Sequence, residues 1–324
     1  MKFWSLSIVL ILLTSCTPPK SYRNAEGKAW NTLYRISYNA DRDLHDSIIS
    51  VMKEVEMSLS PFAEQSLISK INNGENMSAD KYLTAVFKKS QEINFNSNGM
   101  FDPTVAPLIN LWGFGYNKSD EAPTQDVIDS IKDLVGIDQC KMTTTGKIIK
   151  KHPCTEFNFS AITKGLGCDA VGEMLERNGC DDYMIEIGGE IAVSGNSSKG
   201  NGWRIMIDTP IMSDSIVIHK KLAVIHVTDC GIATSGNYRN YKKTENGKVW
   251  HTISPVTGYP AATDILSATI KAPTCMEADA YATACMAMDA SSALKMIEKA
   301  KGVEALIVTR ESILTTSGFP KLER

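Results

Sequence analysis

Hydrophobic and polar positions alternate along this chain with two different periods, which predict strands and helices in turn. Residues 29–40, with the sequence AWNTLYRISYNA, alternate with a period of two, and this pattern predicts a strand. Residues 41–60 place Leu44, Ile48 and Val55 at helical spacing, which predicts an amphipathic helix. A strand followed by a helix therefore opens the fold.

The same two periods predict the elements in the rest of the chain. Further helices are predicted over residues 79–95 and 124–135, between Ser160 and Gly179, and over 277–288 and 291–300. Further strands are predicted at 155–159, 202–208, 221–229, 231–236 and 303–309, with a hairpin at 140–151 that turns at Gly146 and a strand, Gly-Gly break and strand over 181–195. Ser160 is the expected N-cap of its helix and Gly179 the expected C-terminal cap. The order of elements predicts a mixed sheet with packed helices and no sharp domain boundary.

The N-terminus has the composition of an export signal. Lys2 precedes an apolar stretch over residues 3–13, which is too short to span a bilayer of about 30 Å as a helix. The ending LTSC resembles a bacterial lipobox, so Cys16 is expected to carry a lipid, and a secretory signal with a chance cysteine is the alternative. We therefore expect an extracytoplasmic lipoprotein, anchored to the membrane on its periplasmic side. The predicted parts are a signal peptide at 1–16, a linker at 17–27 and a folded domain at 28–324.

Charge and cysteine spacing exclude several classes of protein. The chain has 34 basic and 37 acidic residues, and no basic run is interleaved with aromatic residues, so no nucleic-acid partner is expected. The cysteines after Cys16 form no CxxC pair, which excludes zinc-ribbon and thioredoxin motifs. Export permits disulfides, but seven is an odd number and leaves at least one free thiol.

The first candidate for chemistry is the junction before the predicted helix, NFSAITKGLG. The N–H groups and positive dipole end of a helix start favour phosphate. Lys164 adds a full charge there, and Gly165 and Gly167 allow a ligand to approach closely. The spacing is not that of a Walker A loop. An ordinary helix start with a solvated lysine is the alternative.

The second candidate is the predicted helix at 277–288. Asp279 and Thr283 are four residues apart, so they share one helical face. A carboxylate and a hydroxyl suit Mg²⁺, which binds few protein oxygens and keeps positions for phosphate and water. The alternative is an Asp that complements the helix dipole and a Thr that bonds to the preceding turn.

The third candidate is the segment GMFDPTVAPLINLWGFG, which contains Asp102 and Trp112. Apolar and aromatic side chains with few polar groups suit a flat ring ligand. An irregular buried loop packed by Trp112 is the alternative.

The last candidate is HTISPVTGYP, at residues 251–260. It combines an imidazole, hydroxyls and two prolines, which disfavour a regular helix or a central strand. A polar, turn-rich loop of this kind is often part of a binding site, and an ordinary surface turn is the alternative.

Seven segments, in this order and at ordinary spacings, resemble the ApbE family of FAD:protein FMN transferases. They are SLSPFAEQSLISKIN, GMFDPTVAPLINLWGFG, FNFSAITKGLGCDAV, IEIGGEIAVSG, GIATSGNYRNY, HTISPVTGYP and EADAYATACMAM, and they cover roughly residues 28–290. The resemblance implies an α+β fold related to the T-fold, an FAD-binding cleft and a divalent metal, usually Mg²⁺. It also implies cleavage of the FAD pyrophosphate, transfer of FMN to a Thr or Ser of a target flavoprotein, and release of AMP.

The resemblance also implies site residues. The implied metal ligands are the Ala161 carbonyl, Asp279, the Ala282 carbonyl and Thr283. The implied FAD contacts are Trp30, Phe62, Met100, Phe101, Asp102, Asn158, Lys164 and Ile253. His251 is the implied base for the incoming hydroxyl, because histidine exchanges a proton near neutral pH.

The chain departs from the family pattern at three of these positions or their neighbours. Trp30 and Asn31 replace a usual Met-Gly pair, and Ser254 replaces an Asp.

Two other functions fit the same residues. One is an FAD pyrophosphatase that yields FMN and AMP, and the other is a flavin-binding lipoprotein without turnover.

Overall fold

The computed structural model describes residues 21–114, 122–211, 220–237, 241–244 and 247–323. The predicted signal peptide and Cys16 lie outside the described residues. No helix within the described ranges is both long enough and apolar enough to cross a membrane.

Helices and strands alternate irregularly along the described chain. The helices are α1 (His45–Leu59), α2 (Leu67–Asn72), α3 (Lys81–Asn96), α4 (Ala106–Leu111), α5 (Gln125–Lys132), α6 (Ser160–Arg177), α7 (Cys275–Met286) and α8 (Ala290–Lys299). The strands are β1 (Tyr22–Ala29), β2 (Thr32–Asn39), β3 (Lys141–Met142), β4 (Ile148–Ile149), β5 (Tyr183–Ile187), β6 (Glu190–Ser194), β7 (Trp203–Asp208), β8 (Lys221–Val227), β9 (Cys230–Gly236), β10 (Tyr241–Thr244), β11 (Gly247–Trp250), β12 (Ile265–Ala272), β13 (Glu304–Thr309) and β14 (Ile313–Thr315). A short 3₁₀ turn, Ile137–Gln139, follows α5.

Eight strands form the central sheet, in the order β1-β2-β5-β6-β9-β12-β13-β14. Side chains alternate between its two faces, because successive residues of a strand point in opposite directions. In β13, Ala305 and Ile307 belong to the larger core, which packs against helices. Leu306 and Val308 face a smaller core that the β7–β8 hairpin covers. The sheet is therefore buried on both faces.

The α+β class is confirmed, and so are most predicted elements, among them α1, α3, α7, the hairpin at 140–151 and the two strands around Gly188–Gly189. The expected mixture of strand directions is wrong for the described strands, whose pairings are all antiparallel.

The N-terminal edge of the fold differs from the prediction. Residues 29–40 form a hairpin turn and a strand rather than one strand, because Trp30 and Asn31 adopt φ values of 52° and 59°. Such left-handed residues are typical of a tight two-residue hairpin turn. The partner strand β1 begins at Tyr22, inside the segment that was predicted to be a linker.

Local structure before α6 also differs. Residues 155–159 form no strand, and Ser160 is the first helical residue rather than the N-cap. The preceding residue, Phe159, is buried in the larger core, and packing there overrides the short alternating pattern.

The seven cysteines in the described ranges are free thiols, and only Cys154 is exposed.

Candidate active site

The loop around residue 102, the start of α6, the loop that follows β11 and the helix α7 line a cavity of about 320 Å³. The predicted site residues on its wall are Met100, Phe101, Asp102, Asn158, Ala161, His251, Ile253 and Thr283. The fold therefore brings the predicted base, two of the predicted metal ligands and most of the predicted flavin contacts to one place.

Asp102 lies on this wall, but the protein itself occupies its carboxylate. Oδ1 accepts hydrogen bonds from the Thr104 N–H at 2.8 Å and the Thr104 hydroxyl at 2.6 Å. Oδ2 accepts from the Ile137 N–H at 3.1 Å and from Asn94 Nδ2 at 3.3 Å. Burial raises the pKa of Asp102, and these bonds oppose the shift. The side chain therefore fixes the shape of the loop and presents no free acceptor to a ligand.

Hydrogen bonds to neighbouring segments hold the loop that carries His251. The Thr252 hydroxyl donates to Asn237 Oδ1 at 2.8 Å, and Asn237 is fully buried. The indole of Trp112 donates to the Gly258 carbonyl at 2.8 Å. The polar, turn-rich loop predicted from HTISPVTGYP is confirmed, and the role of His251 as a base stays a prediction.

Gly165 allows α6 and α7 to approach closely. A Cβ at this position would lie 2.6 Å from the carbonyl carbon of Cys275 and 2.8 Å from Met276 Cα, so only glycine fits. The Gly165 N–H donates to Asp279 Oδ2 at 3.0 Å. In a regular α-helix this N–H pairs with the carbonyl four residues earlier, which is that of Ala161. Asp279 therefore competes with the Ala161 carbonyl for the same donor.

Three charged side chains form a cluster, namely Lys164 of α6, Glu190 of β6 and Asp279 of α7. Lys164 lies one helical turn along α6 from Ala161. Lys164 Nζ forms an ion pair with Glu190 Oε1. Burial acts to lower the pKa of Lys164, but the charges of Asp279 and Glu190 outweigh it and raise that pKa. Burial raises the pKa of Glu190 to about 7, and it also raises the pKa of Asp279, while Lys164 opposes both shifts. The ammonium is therefore held in its charged form.

A second carboxylate positions α7. Asp169, on α6, accepts hydrogen bonds from the N–H groups of Cys275 and Met276, both at 2.8 Å. These groups belong to the first turn of α7, where backbone donors have no partner within the helix. Burial raises the pKa of Asp169 to about 7, against the effect of the two bonds. Asp169 thus fixes the helix that carries Asp279 relative to α6.

The sequence did not identify Glu190 or Asp169 as site residues. Glu190 directly follows the Gly188–Gly189 turn, and an acidic residue at the start of an otherwise apolar strand was the available signal. Asp169 lies on the apolar side of α6, and a lone acidic residue there was the corresponding signal.

Some predicted site residues lie outside the described wall of this cavity, namely Trp30, Phe62, Lys164, Asp279 and Ala282. Trp30 lies on the β1–β2 turn over α6, where a Cβ on Gly167 would overlap its ring. Phe62 is 68% exposed in the connection between α1 and α2. Neither of these two predicted flavin contacts lines the cavity.

The residues around Asp279 fit a divalent cation of the hard type. Asp279 is 3% exposed, and the hydrogen bond that the structure gives it comes from the Gly165 N–H. Thr283 lies one turn further along α7. The Gly165 N–H, which donates to Asp279, is the group that would pair with the Ala161 carbonyl in a regular helix. The described part of the chain holds no group of three or more His, Cys, Asp or Glu side chains suited to a metal. A site here would therefore use one carboxylate and neutral oxygens, as Mg²⁺ does where phosphate and water supply the remaining ligands.

The protein has an antiparallel sheet with helices on one face, and a helix start borders the cavity. The ammonium of Lys164 and the buried carboxylate of Asp279 lie one helical turn from the wall residues Ala161 and Thr283. These features define an α+β protein with a site suited to a phosphate-bearing ligand. The chain belongs to the ApbE family, whose model matches residues 30–307.

Similar proteins agree with this family. The chain is 33% identical to an FAD:protein FMN transferase of Haemophilus influenzae, over 96% of this chain and 94% of the relative. It is 31% identical to the FAD:protein FMN transferase of Vibrio cholerae, over 98% and 96% of the two chains. The solved structure of the flavin transferase ApbE from Vibrio cholerae superposes with a TM-score of 0.80 at 30% identity, over 93% of this chain and 99% of that one.

Proposed function

We propose that this protein is an FAD:protein FMN transferase that uses Mg²⁺. FAD is its substrate, and the acceptor is a Thr or Ser hydroxyl of a target flavoprotein. The acceptor oxygen forms a new bond to the phosphorus of the FMN half, the pyrophosphate P–O bond to the AMP half breaks, and AMP leaves. The observation that carries the proposal is the single cavity on which His251, Ala161 and Thr283 lie, with Asp279 buried beside it on α7.

Mg²⁺, held by Asp279, Thr283 and the carbonyls of Ala161 and Ala282, would supply neutralisation of charge on the pyrophosphate. Lys164 contributes a second positive charge, kept in place by its ion pair.

His251 has the chemistry to accept the proton of the acceptor hydroxyl as the new P–O bond forms. Its loop is tied through Thr252 to the buried Asn237 and through Gly258 to Trp112, so the imidazole is carried on a fixed support. Preorganisation of this kind reduces the cost of bringing the base to the reacting oxygen.

A gel assay tests the proposal. The protein is incubated with FAD, Mg²⁺ and a candidate acceptor protein, and the products are separated by denaturing electrophoresis and by nucleotide chromatography. We expect flavin fluorescence on the acceptor band together with equimolar AMP. Free FMN and AMP without fluorescent acceptor would assign the hydrolase function, and intact FAD would contradict both.

We also propose that Cys16 carries a lipid and tethers the domain outside the cytoplasm. The support is the apolar run that ends in LTSC and the polar stretch that follows it. The folded domain begins at Tyr22, so only a few residues separate the proposed lipid from β1. Such a short connection would keep the domain close to the membrane surface.

A further inference from the structure

Glu190 is a buried carboxylate that the fold leaves half satisfied. Its side chain is 6% exposed, and one oxygen, Oε1, forms the ion pair with Lys164. The other oxygen, Oε2, is buried and has no hydrogen-bond partner among the described residues. A buried acceptor without a partner costs folding free energy. A buried ion pair often adds no stability over apolar side chains of similar size at both positions. Stability therefore gives no reason for a lysine and a carboxylate at these two positions.

Lys164 lies under the influence of two carboxylates but pairs with only one of them. The charges of both Asp279 and Glu190 act on the ammonium. Within the described residues, its ion pair is with Glu190 and not with Asp279. Asp279 instead accepts from the Gly165 N–H. The ammonium is thus paired with a different carboxylate from the one that the proposed function assigns to the metal, while the charge of Asp279 still acts on it.

This placement has a consequence for cation binding. An ammonium and a divalent cation compete for the same carboxylate, because each is stabilised by its negative charge. Asp279 is the single anionic side chain in the proposed ligand set, so an ammonium paired with it would remove most of the attraction for Mg²⁺. Glu190 offers Lys164 another partner.

We infer that Glu190 is a positioning residue that holds the Lys164 ammonium away from Asp279 and so leaves Asp279 available to a divalent cation. The inference rests on the proposed function, since the cation site is part of it. Glu190 acts here through Lys164 and does not itself contact the cation.

The test measures cation affinity without any flavin chemistry. Mn²⁺, which gives a spectroscopic signal, is titrated into the full-length protein in the absence of FAD and acceptor, and free Mn²⁺ is followed by electron paramagnetic resonance. We expect E190Q, which keeps the shape and removes the charge, to weaken Mn²⁺ binding by about 10- to 100-fold, the usual range for residues that orient metal ligands. The matched control is E186Q on the neighbouring strand β5, where Glu186 is 32% exposed and pairs with Arg35 at 3.9 Å. E186Q should bind Mn²⁺ as the unmodified protein does.

A double-mutant cycle separates this role from a general effect of charge. If Glu190 acts by holding the ammonium, its replacement matters only while Lys164 is present, so E190Q should change Mn²⁺ affinity by less than about threefold in the K164Q background. An equal loss in both backgrounds would overturn the inference and make Glu190 either a direct ligand or a general source of negative charge.

A second variant guards against poor folding of E190Q. E190D keeps the charge and shortens the side chain by one methylene, so the ion pair with Lys164 is lengthened or lost. We expect E190D to weaken Mn²⁺ binding as well, and full affinity in E190D would contradict a positioning role. If the unmodified protein binds no Mn²⁺, the proposed metal site and this inference both fail. If it binds Mn²⁺ and E190Q binds equally well, only the inference fails.

Discussion

Replacing Gly165 by alanine tests whether the close approach of α6 and α7 builds the site. The added Cβ would lie 2.6 Å from the Cys275 carbonyl carbon, which belongs to the backbone, and a Cβ is itself fixed by the backbone. Carbon atoms in contact are normally about 3.5–4.0 Å apart, so the helices must separate by about 0.9 Å. No side-chain rotation can relieve this contact.

The expected cost follows from two opposing effects. Overpacking of a well-packed core costs about 1–3 kcal/mol, and a rigid backbone contact belongs at the upper end of that range. Alanine gains about 1 kcal/mol over glycine in helix propensity. The net loss of unfolding free energy is therefore about 2 kcal/mol, which lowers the melting temperature by about 4 °C in a domain of this size.

The effect on the site should be larger than the effect on stability. Gly165 donates to Asp279, and Ala161 lies one turn before it, so separation of the helices pulls the proposed metal ligands apart. A misplacement of about 1 Å can reduce the rate of an enzyme about 100-fold. We therefore expect G165A to lose FMN transfer far more than it loses folded protein.

The measurements are a thermal melt and the transfer assay, with G172A as the matched control. Gly172 lies in the same helix, but its Cβ would meet the end of a side chain, at 2.8 Å from the Tyr183 hydroxyl, and the ring can move. G172A should keep the transfer activity. A G165A protein with unchanged melting temperature and activity would refute the argument that this contact constrains the site.

Three more substitutions test single residues. Asp279→Asn keeps the shape and removes the charge of the buried ligand. The Mg²⁺ concentration needed for half-maximal activity should therefore rise steeply in a titration, and transfer and any FAD hydrolysis should fall together. Full activity at the same Mg²⁺ concentration would return Asp279 to a structural role. His251→Ala should lower the transfer rate by roughly 100-fold or more while FAD still binds, as measured by single-turnover kinetics and flavin fluorescence titration; an unchanged rate between pH 6 and 8 would leave the loop a purely structural role. Cys16→Ala should release the protein from the membrane fraction after cell lysis, and a variant that stays bound after a high-salt wash would show that the anchor is something else.

The sequence by itself determined the local elements and the type of chemistry. Helical spacing located α1, α3 and α7, because the apolar face of a helix repeats in the residues themselves. Asp279 and Thr283 were placed on one face by their separation alone. The order of seven segments gave the family, which the family model and the relatives confirm.

The tertiary structure decided where these elements meet. Trp30 and Asn31 turn a predicted strand into a hairpin, and residues 155–159 form no strand because Phe159 is buried against the helices. The roles of Glu190 and Asp169 exist only across elements, as an ion pair with Lys164 and as hydrogen bonds to the start of α7. Sequence patterns show which side of a helix or strand is buried, but they do not show which other element it is buried against. The interaction of charged groups in a site depends on the distances between residues of different elements, and only the tertiary structure sets those distances.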